Sequence, residues 1–331
     1  MQTLDEPKLA IVVIGRNEGV RLIDCLKSLT VDGRIIYVDS GSEDGSPQLA
    51  KRYVDLVIEL DRRTPFTAAR ERNAGAFAAI EKWPSIEVLQ FLDGDCILVK
   101  GWLDTAATFL ARNPKVAVVC GRRRERYPAR SIYNQMCDWE WNTPIGPASA
   151  CGGDAMVRIE PFKSIGGFST ELIAGEEPEM CNRLRARDWI VWRLDAEMTE
   201  HDAAIVRFSQ WWRRAVRSGF AELDIFLRSL GSDAGLQERR QVFRTVFWGF
   251  AIPAFILFGS LTFSWTLVFF GILYPIQISR IAVSRGPFHR ASWIYGLFVT
   301  LAKFAGLIGM VRCALLRLGS RPSVLIEYKR P

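Results

Sequence analysis

The chain has 331 residues, 49% of them apolar, with 43 Lys and Arg against 36 Asp and Glu. That is enough for one large or two ordinary domains with a substantial core. The net charge of +7 is dispersed along the sequence, which disfavours a nucleic-acid partner and points to a negatively charged membrane surface.

Met1 to Pro7 is acidic and polar where a secretion signal would be basic and then apolar, so the head of the protein is expected to start in the cytosol. Seven cysteines without a Cys-x-x-Cys pair give neither a zinc spacing nor a disulfide framework and fit reduced cytosolic thiols. Leu9 to Ile14 is an uninterrupted β-branched run, suited to a parallel strand buried on both faces. Gly15-Arg16-Asn17-Glu18 breaks it, and helical spacing of Val20, Leu22, Ile23, Leu26 and Leu29 leads to a second strand at Arg34 to Asp39. Asp39 to Ser46 is a turn of small and capping residues before a helix through Tyr53 and a strand at Leu56 to Leu60. A helix over Ala68 to Lys82 then returns the chain to a strand at Val88 to Leu92.

That strand ends in Asp93-Gly94-Asp95. Two carboxylates on a glycine-hinged turn at the carboxyl end of a buried strand suit Mg²⁺ or Mn²⁺ bridging a diphosphate, although an acidic turn also simply ends strands. Leu103 to Leu110 reads as a helix and Val116 to Cys120 as a strand. Trp139 to Pro147 has no period and reads as a loop near the site. Turns at Gly152-Gly153-Asp154 and Gly166-Gly167-Phe168 surround a short element and precede a helix from Pro178 to Arg187 and a strand at Ile190 to Leu194. The repeated strand and helix alternation predicts a doubly wound α/β sheet, and the absence of Gly-x-Gly-x-x-Gly after any strand disfavours a dinucleotide fold.

Val206 to Leu230 is helical, with Phe208, Trp211, Trp212, Arg213, Arg214, Arg217 and Phe220. It reads either as an interfacial helix with tryptophans at headgroup depth or as a packed helix with a basic face. Val246 to Ile281 holds two apolar runs flanked by Arg239, Arg240 and Arg244 before and Arg280, Arg285 and Arg290 after, which fits a hairpin with both ends in the cytosol. Trp293 to Val311 carries Lys303 and is followed by Arg312, Arg317 and Arg321, so an interfacial or re-entrant helix is expected there. The expected divisions are 1–205 (catalytic), 206–243 (interface helix) and 244–331 (hairpin about 246–281, third helix about 292–316, basic tail).

In this order, the strand to Ile14 followed by Arg16-Asn17-Glu18, Val38-Asp39, Arg72-Asn73-Ala74-Gly75, Asp93-Gly94-Asp95 and Gly175-Glu176-Glu177 resemble the family 2 glycosyltransferases over most of residues 8 to 215. The resemblance implies a GT-A fold, doubly wound with a mainly parallel sheet and followed by membrane-associated helices, and a nucleotide diphosphate sugar donor, UDP-linked more readily than GDP-linked. It places Ile14, Arg16, Glu18, Asp39, Arg72, Asp93, Gly94 and Asp95 at the donor, with Arg72 facing the diphosphate and Asp95 ligating Mn²⁺ or Mg²⁺. Glu177 matches the second acid of the family's Glu-Asp motif, the base for the acceptor hydroxyl, with Glu176 orienting it; Glu177 stands where Asp is usual, and Glu179 lies nearby. His201 matches a histidine that completes the metal site in some relatives. Gln210-Trp211-Trp212-Arg213-Arg214 is similar to the Gln-x-x-Arg-Trp motif of polysaccharide synthases. Arg214 replaces the tryptophan, which argues against processive synthesis and leaves Gln210, Arg213 and Arg214 for an acceptor or its phosphate. These features imply a metal-dependent inverting enzyme at the cytoplasmic membrane, its active site cytosolic, acting on a lipid-linked or glycan acceptor in cell-surface polysaccharide assembly. Two alternatives stay open: a sugar nucleotidylyltransferase, for which Gly15-Arg16-Asn17-Glu18 is a poor loop, and a non-catalytic membrane scaffold.

Overall fold

The structure, a computed structural model, describes residues 8–31, 33–61, 63–64, 66–230 and 236–319. Met1 to Pro7, Arg321 and the basic tail lie outside the described residues. The chain divides into two compact units, Met1–Val206 and Arg207–Pro331.

In the first unit the elements are β1 (Leu9–Gly15), α1 (Val20–Ser28), β2 (Arg34–Asp39), α2 (Ser46–Ala50), β3 (Leu56–Glu59), α3 (Ala68–Lys82), β4 (Val88–Asp93), β5 (Cys96–Leu98), α4 (Trp102–Arg112), β6 (Val116–Glu125), α5 (Ile132–Glu140), β7 (Gly146–Pro147), β8 (Ala155–Arg158), α6 (Ile159–Ser164), α7 (Glu176–Arg185) and β9 (Ile190–His201). They build one sheet in the order β3-β2-β1-β4-β8-β6-β9-β5, with β7 against β9. β3, β2, β1 and β4 are parallel, and β6 is parallel to β9. β8 runs antiparallel between β4 and β6, and β5 runs antiparallel to β9. The sheet is therefore mixed and mostly parallel, and β1 and β4 end side by side at Ile14 and Asp93.

Local chemistry explains the close packing. Ala10 to Val13 are fully buried, as expected for a central strand covered on both faces. Thr67 caps α3 by accepting from the Arg70 N–H at 3.2 Å, and Gly75 lets this helix lie on the sheet. A Cβ at Gly75 would stand 2.3 Å from Val12 Cγ1 and 3.0 Å from Val38 Cγ2.

Two expectations are corrected, and two strands, Ala155–Arg158 between the glycine turns and Cys96–Leu98, are added that are too short for a periodic signal. β9 runs seven residues past Leu194, because register shifts against β6 between Cys120 and Arg123 disturb the alternation of buried and exposed side chains. The stretch expected as a loop from Trp139 supplies the end of α5 and, at Gly146–Pro147, a short strand.

The second unit comprises α8 (Phe208–Arg228), α9 (Leu236–Val246), α10 (Ile252–Thr262), α11 (Leu273–Arg285) and α12 (Arg290–Leu318), with a 3-10 segment at Trp265–Ile272. Three stretches, Glu238–Thr262, Trp265–Arg285 and Arg290–Leu318, are long and apolar enough to cross a membrane by length and composition. The third is one unbroken helix of 29 residues, so the backbone has no re-entrant break there. α8 and α12 pack in parallel. Trp211 meets Phe298 edge to face at 4.9 Å, a Cβ on Gly219 would fall 2.4 Å from Gly306 Cα, and Asp224 accepts from Arg317 Nε at 2.9 Å. Trp211 is thus buried against α12, as in the packed one of the two readings of this helix.

Candidate functional site

The site lies where β1 and β4 end and where β5 meets the end of β9. Gly94 donates its N–H to the Ile14 carbonyl at 2.8 Å, which joins the Asp-Gly-Asp turn to the first strand. A Cβ at Gly94 would stand 3.0 Å from that same oxygen, so a side chain here would push the two loops apart. Pairing of Cys96 with His201 across β5 and β9 then delivers the imidazole to the acidic turn.

Asp95 is buried, and its Oδ1 lies 3.2 Å from His201 Nε2. Asp93, Asp95, Cys96 and His201 offer ligand atoms within 4.8 Å of one another. Two carboxylates and an imidazole fit a hard or borderline divalent cation. The Cys96 thiol is a poor fourth donor: it points to Asp154 Oδ2 at 3.4 Å, and burial, with Asp154 and Asp95 adding to it, pushes its pKa well up. His201 Nδ1 is buried with no hydrogen-bond partner, while Trp141 stands edge-on to the ring at 4.9 Å. With Nε2 directed at Asp95, the donor set suits Mn²⁺ or Mg²⁺.

Arg72, expected to face a diphosphate, is instead enclosed. Its guanidinium donates to Asp93 Oδ1 and Glu176 Oε1, both at 2.8 Å, and lies 3.5 Å from Glu177 Oε1. It therefore links the acidic turn to the start of α7. Burial alone would raise the Asp93 pKa, but Arg72 and Arg123 outweigh that and hold it below the usual carboxylate range. Glu177 is pushed up to about 7 by burial and by neighbouring Glu176, with Arg72 pulling the other way. A carboxyl tuned near neutrality is suited to exchanging a proton at physiological pH. Glu179 is engaged elsewhere, accepting twice from Arg183 at 2.7 Å.

The remaining donor candidates are spread around the β1 and β2 loops. Asp39, expected at the donor, orders its own turn. It accepts from Tyr37 Oη at 2.8 Å, from the Gly41 and Ser42 N–H groups at 2.8 and 2.7 Å, and from Ser42 Oγ at 2.5 Å. Glu18 pairs with Arg21 at 2.7 Å, and the Arg16 guanidinium sits 5.2 Å from the Phe66 ring centroid. Gln210, Arg213 and Arg214 belong to the second unit. Gln210 is buried and caps α8 by accepting the Arg207 N–H at 3.0 Å. Phe208, Ser209, Trp212 and Arg213 line a shallow, mostly apolar cleft of about 310 Å³.

Sequence reasoning missed Asp154, Arg123 and Trp141. Asp154 is wholly buried and holds Arg123 at 2.9 Å, and Arg123 lies over Trp141 at 5.6 Å. The aperiodic stretch from Trp139, read as lying near the site, was the advance signal for Trp141; Arg122, Arg123, Arg124 and Arg126 form a basic run after the strand at Val116, and which of them turn inward depends on the register shifts of β6.

A mostly parallel sheet whose acidic turn faces a carboxylate-bearing helix defines a GT-A domain. Residues 10–162 match the family model Glycosyl transferase family 2. Glycosyltransferase AglE of Haloferax volcanii is 24% identical over 194 residues, covering 54% of this chain and 61% of the relative. The O-antigen chain rhamnosyltransferase RfbN of Salmonella typhimurium is 24% identical over 195 residues, covering 54% and 60%. The matched region thus spans less than two thirds of these relatives. Mannosyltransferase PcManGT of Pyrobaculum calidifontis, solved in complex with GDP-Man and Mn²⁺, superposes with a TM-score of 0.63 at 15% identity over 92% of this chain and 87% of its own. S. aureus TarS superposes at 0.51 with 15% identity over 94% and 92%. These likenesses show the fold.

Proposed function

We propose that the protein is a membrane-associated, metal-dependent, inverting glycosyltransferase that moves a sugar from a nucleotide diphosphate sugar to a lipid-linked or glycan acceptor. The observation that carries this reading is the link through Arg72. One guanidinium joins the carboxylate turn beside His201 to the acidic start of α7, so a leaving-group site and a base share one charged network.

Asp95 and His201 would hold Mn²⁺ or Mg²⁺, with Asp93 on the same turn. When bound, the cation supplies charge stabilisation to the departing nucleoside diphosphate. Glu177 takes the proton from the acceptor hydroxyl, whose oxygen bonds to the anomeric carbon as the bond to the diphosphate breaks. A single base opposite the leaving group gives inversion. Glu176, bonded to Arg72, holds the base-bearing turn. PcManGT, a fold neighbour, was solved with GDP-Man, so both GDP- and UDP-linked sugars belong in the assay.

The name of the rhamnosyltransferase relative supports a role in cell-surface polysaccharide assembly. The apolar helices support a membrane location, and the arginines flanking both outer ends of the apolar hairpin are the ground for placing the catalytic unit on the cytosolic side of the cytoplasmic membrane. Arg213 and Arg214, beside the aromatic cleft on α8, suit the phosphate and the first isoprenes of a lipid-linked acceptor. The test is transfer from a panel of labelled UDP- and GDP-sugars to membrane lipid extract. Product that requires Mn²⁺ or Mg²⁺ supports the proposal, and no turnover with any donor would favour the scaffold.

A further inference from the structure

Asp154 occupies an unusual position for a carboxylate. It is completely buried at the head of β8, and four strands converge on it. Its Oδ1 accepts the Asp93 N–H of β4 at 3.1 Å. Its Oδ2 accepts from Thr199 Oγ1 of β9 at 2.8 Å, from the Cys96 thiol of β5 at 3.4 Å, and pairs with Arg123 of β6 at 2.9 Å. Asp93 stands two residues before Asp95, and Thr199 stands two residues before His201 on the same strand. Side chains two apart on a strand share a face, so a displacement of Thr199 carries His201 with it.

We infer that Asp154 is a positioning residue. It sets the distance between the Asp93-Gly94-Asp95 turn and the strand end bearing His201, and so prepares these groups to take a divalent cation. It also restrains Arg123. That guanidinium lies 3.8 Å from Asp93 Oδ2, and without Asp154 its charge would turn to Asp93 and oppose a cation there. Gly153 keeps the approach narrow, since a Cβ on it would stand 2.6 Å from Arg72 Nη2 and 2.9 Å from Asp93 Oδ2. The inference rests on the reading of Asp95 and His201 as cation ligands.

The test is the dissociation constant for Mn²⁺, measured without substrate by electron paramagnetic resonance of the free ion on the full chain in detergent. Asp154→Asn is expected to weaken Mn²⁺ binding by about 10- to 100-fold, the range for groups that orient ligands. Thr199→Val keeps the side-chain shape, removes one donor to Asp154, and is expected to weaken binding less. At saturating Mn²⁺, kcat of Thr199→Val should approach wild type, a split that general loss of folding would not give. Should Asp154→Asn fail to fold, Thr199→Val carries the test. Asp95→Asn separates the two levels of argument. Wild-type affinity in Asp154→Asn and Thr199→Val alongside lost binding in Asp95→Asn would overturn the positioning role alone. Unchanged binding in Asp95→Asn would overturn the ligand reading and this inference with it.

Discussion

His201 Nε2 lies 3.2 Å from Asp95 Oδ1, and the pairing of β5 with β9 brings them together across 106 positions of sequence. A histidine at hydrogen-bond distance from a buried carboxylate either satisfies it or shares a cation with it. Sharing predicts that His201→Ala loses turnover at low Mn²⁺ and regains much of it as Mn²⁺ rises. Titration of initial rate against Mn²⁺ reads this: a structural histidine would lower kcat at every concentration instead.

Glu177 is expected to be the base. Glu177→Gln should lower kcat by about 10²-fold or more, within the range for general bases. Glu179, held by Arg183, should tolerate the same change with near-normal rates. A dead Glu179→Gln beside an active Glu177→Gln would move the base by two residues.

The pH profile follows from the same group. Burial pushes Glu177 up to about 7, and only its deprotonated form accepts a proton, so kcat/KM should rise with pH through that region. Arg72 pulls the pKa down. Arg72→Gln should therefore shift the rising limb to higher pH, and a shift to lower pH would contradict the assignment.

Glu71, one residue before Arg72, gives a stability signature. Burial pushes its carboxyl up to about 8 against the Ser40 hydroxyl, which lowers it. Between the ordinary value of 4.5 and about 8 the unfolded chain has released this proton while the folded chain keeps it, so stability falls as pH rises through that window. Glu71→Gln should raise the unfolding temperature relative to wild type at pH 8, and the difference should shrink at pH 5. Thermal melts of the two proteins at both pH values check this.

Membrane topology has its own test. α8 bears Arg213, Arg214, Arg217, Glu222, Asp224 and Arg228, and α12 packs along it from Phe298 to Arg317. Each charge at bilayer mid-depth costs about 2.5–3.5 kcal/mol on insertion scales, so a helix with six of them is expected to keep its neighbour near the interface. Cysteines placed at the exposed Arg290 and Arg312 should both react with an impermeant maleimide from the same side. The native cysteines are buried and give low background. Reaction from opposite sides would mean that α12 crosses.

The sequence made legible what short-range chemistry encodes. The buried runs at Leu9 and Val88 and the helix from Ala68 carry their own signals, and with them come the acidic turn and the acids of α7. What it left hidden depends on strand pairing over long separations. Arg72 is bound at Glu176, 104 residues away, and a guanidinium expected to meet a ligand turned out to bridge two protein carboxylates. Asp154 resembled a turn residue because its partners lie on four different strands. The register shifts of β6 and β9, invisible to periodicity, decide that Arg123 turns inward while Arg124 pairs with Glu197 at the surface.

The central claim is metal-dependent transfer at Asp95 and His201. The direct measurement is release of nucleoside diphosphate from a matched labelled donor with lipid-linked acceptor, comparing wild type and Asp95→Asn with Mn²⁺ and with chelator. Turnover by wild type that chelator abolishes and Mn²⁺ restores, with Asp95→Asn inactive under both conditions, is the expected result. Turnover that persists in chelator, or an Asp95→Asn protein as active as wild type, would contradict it.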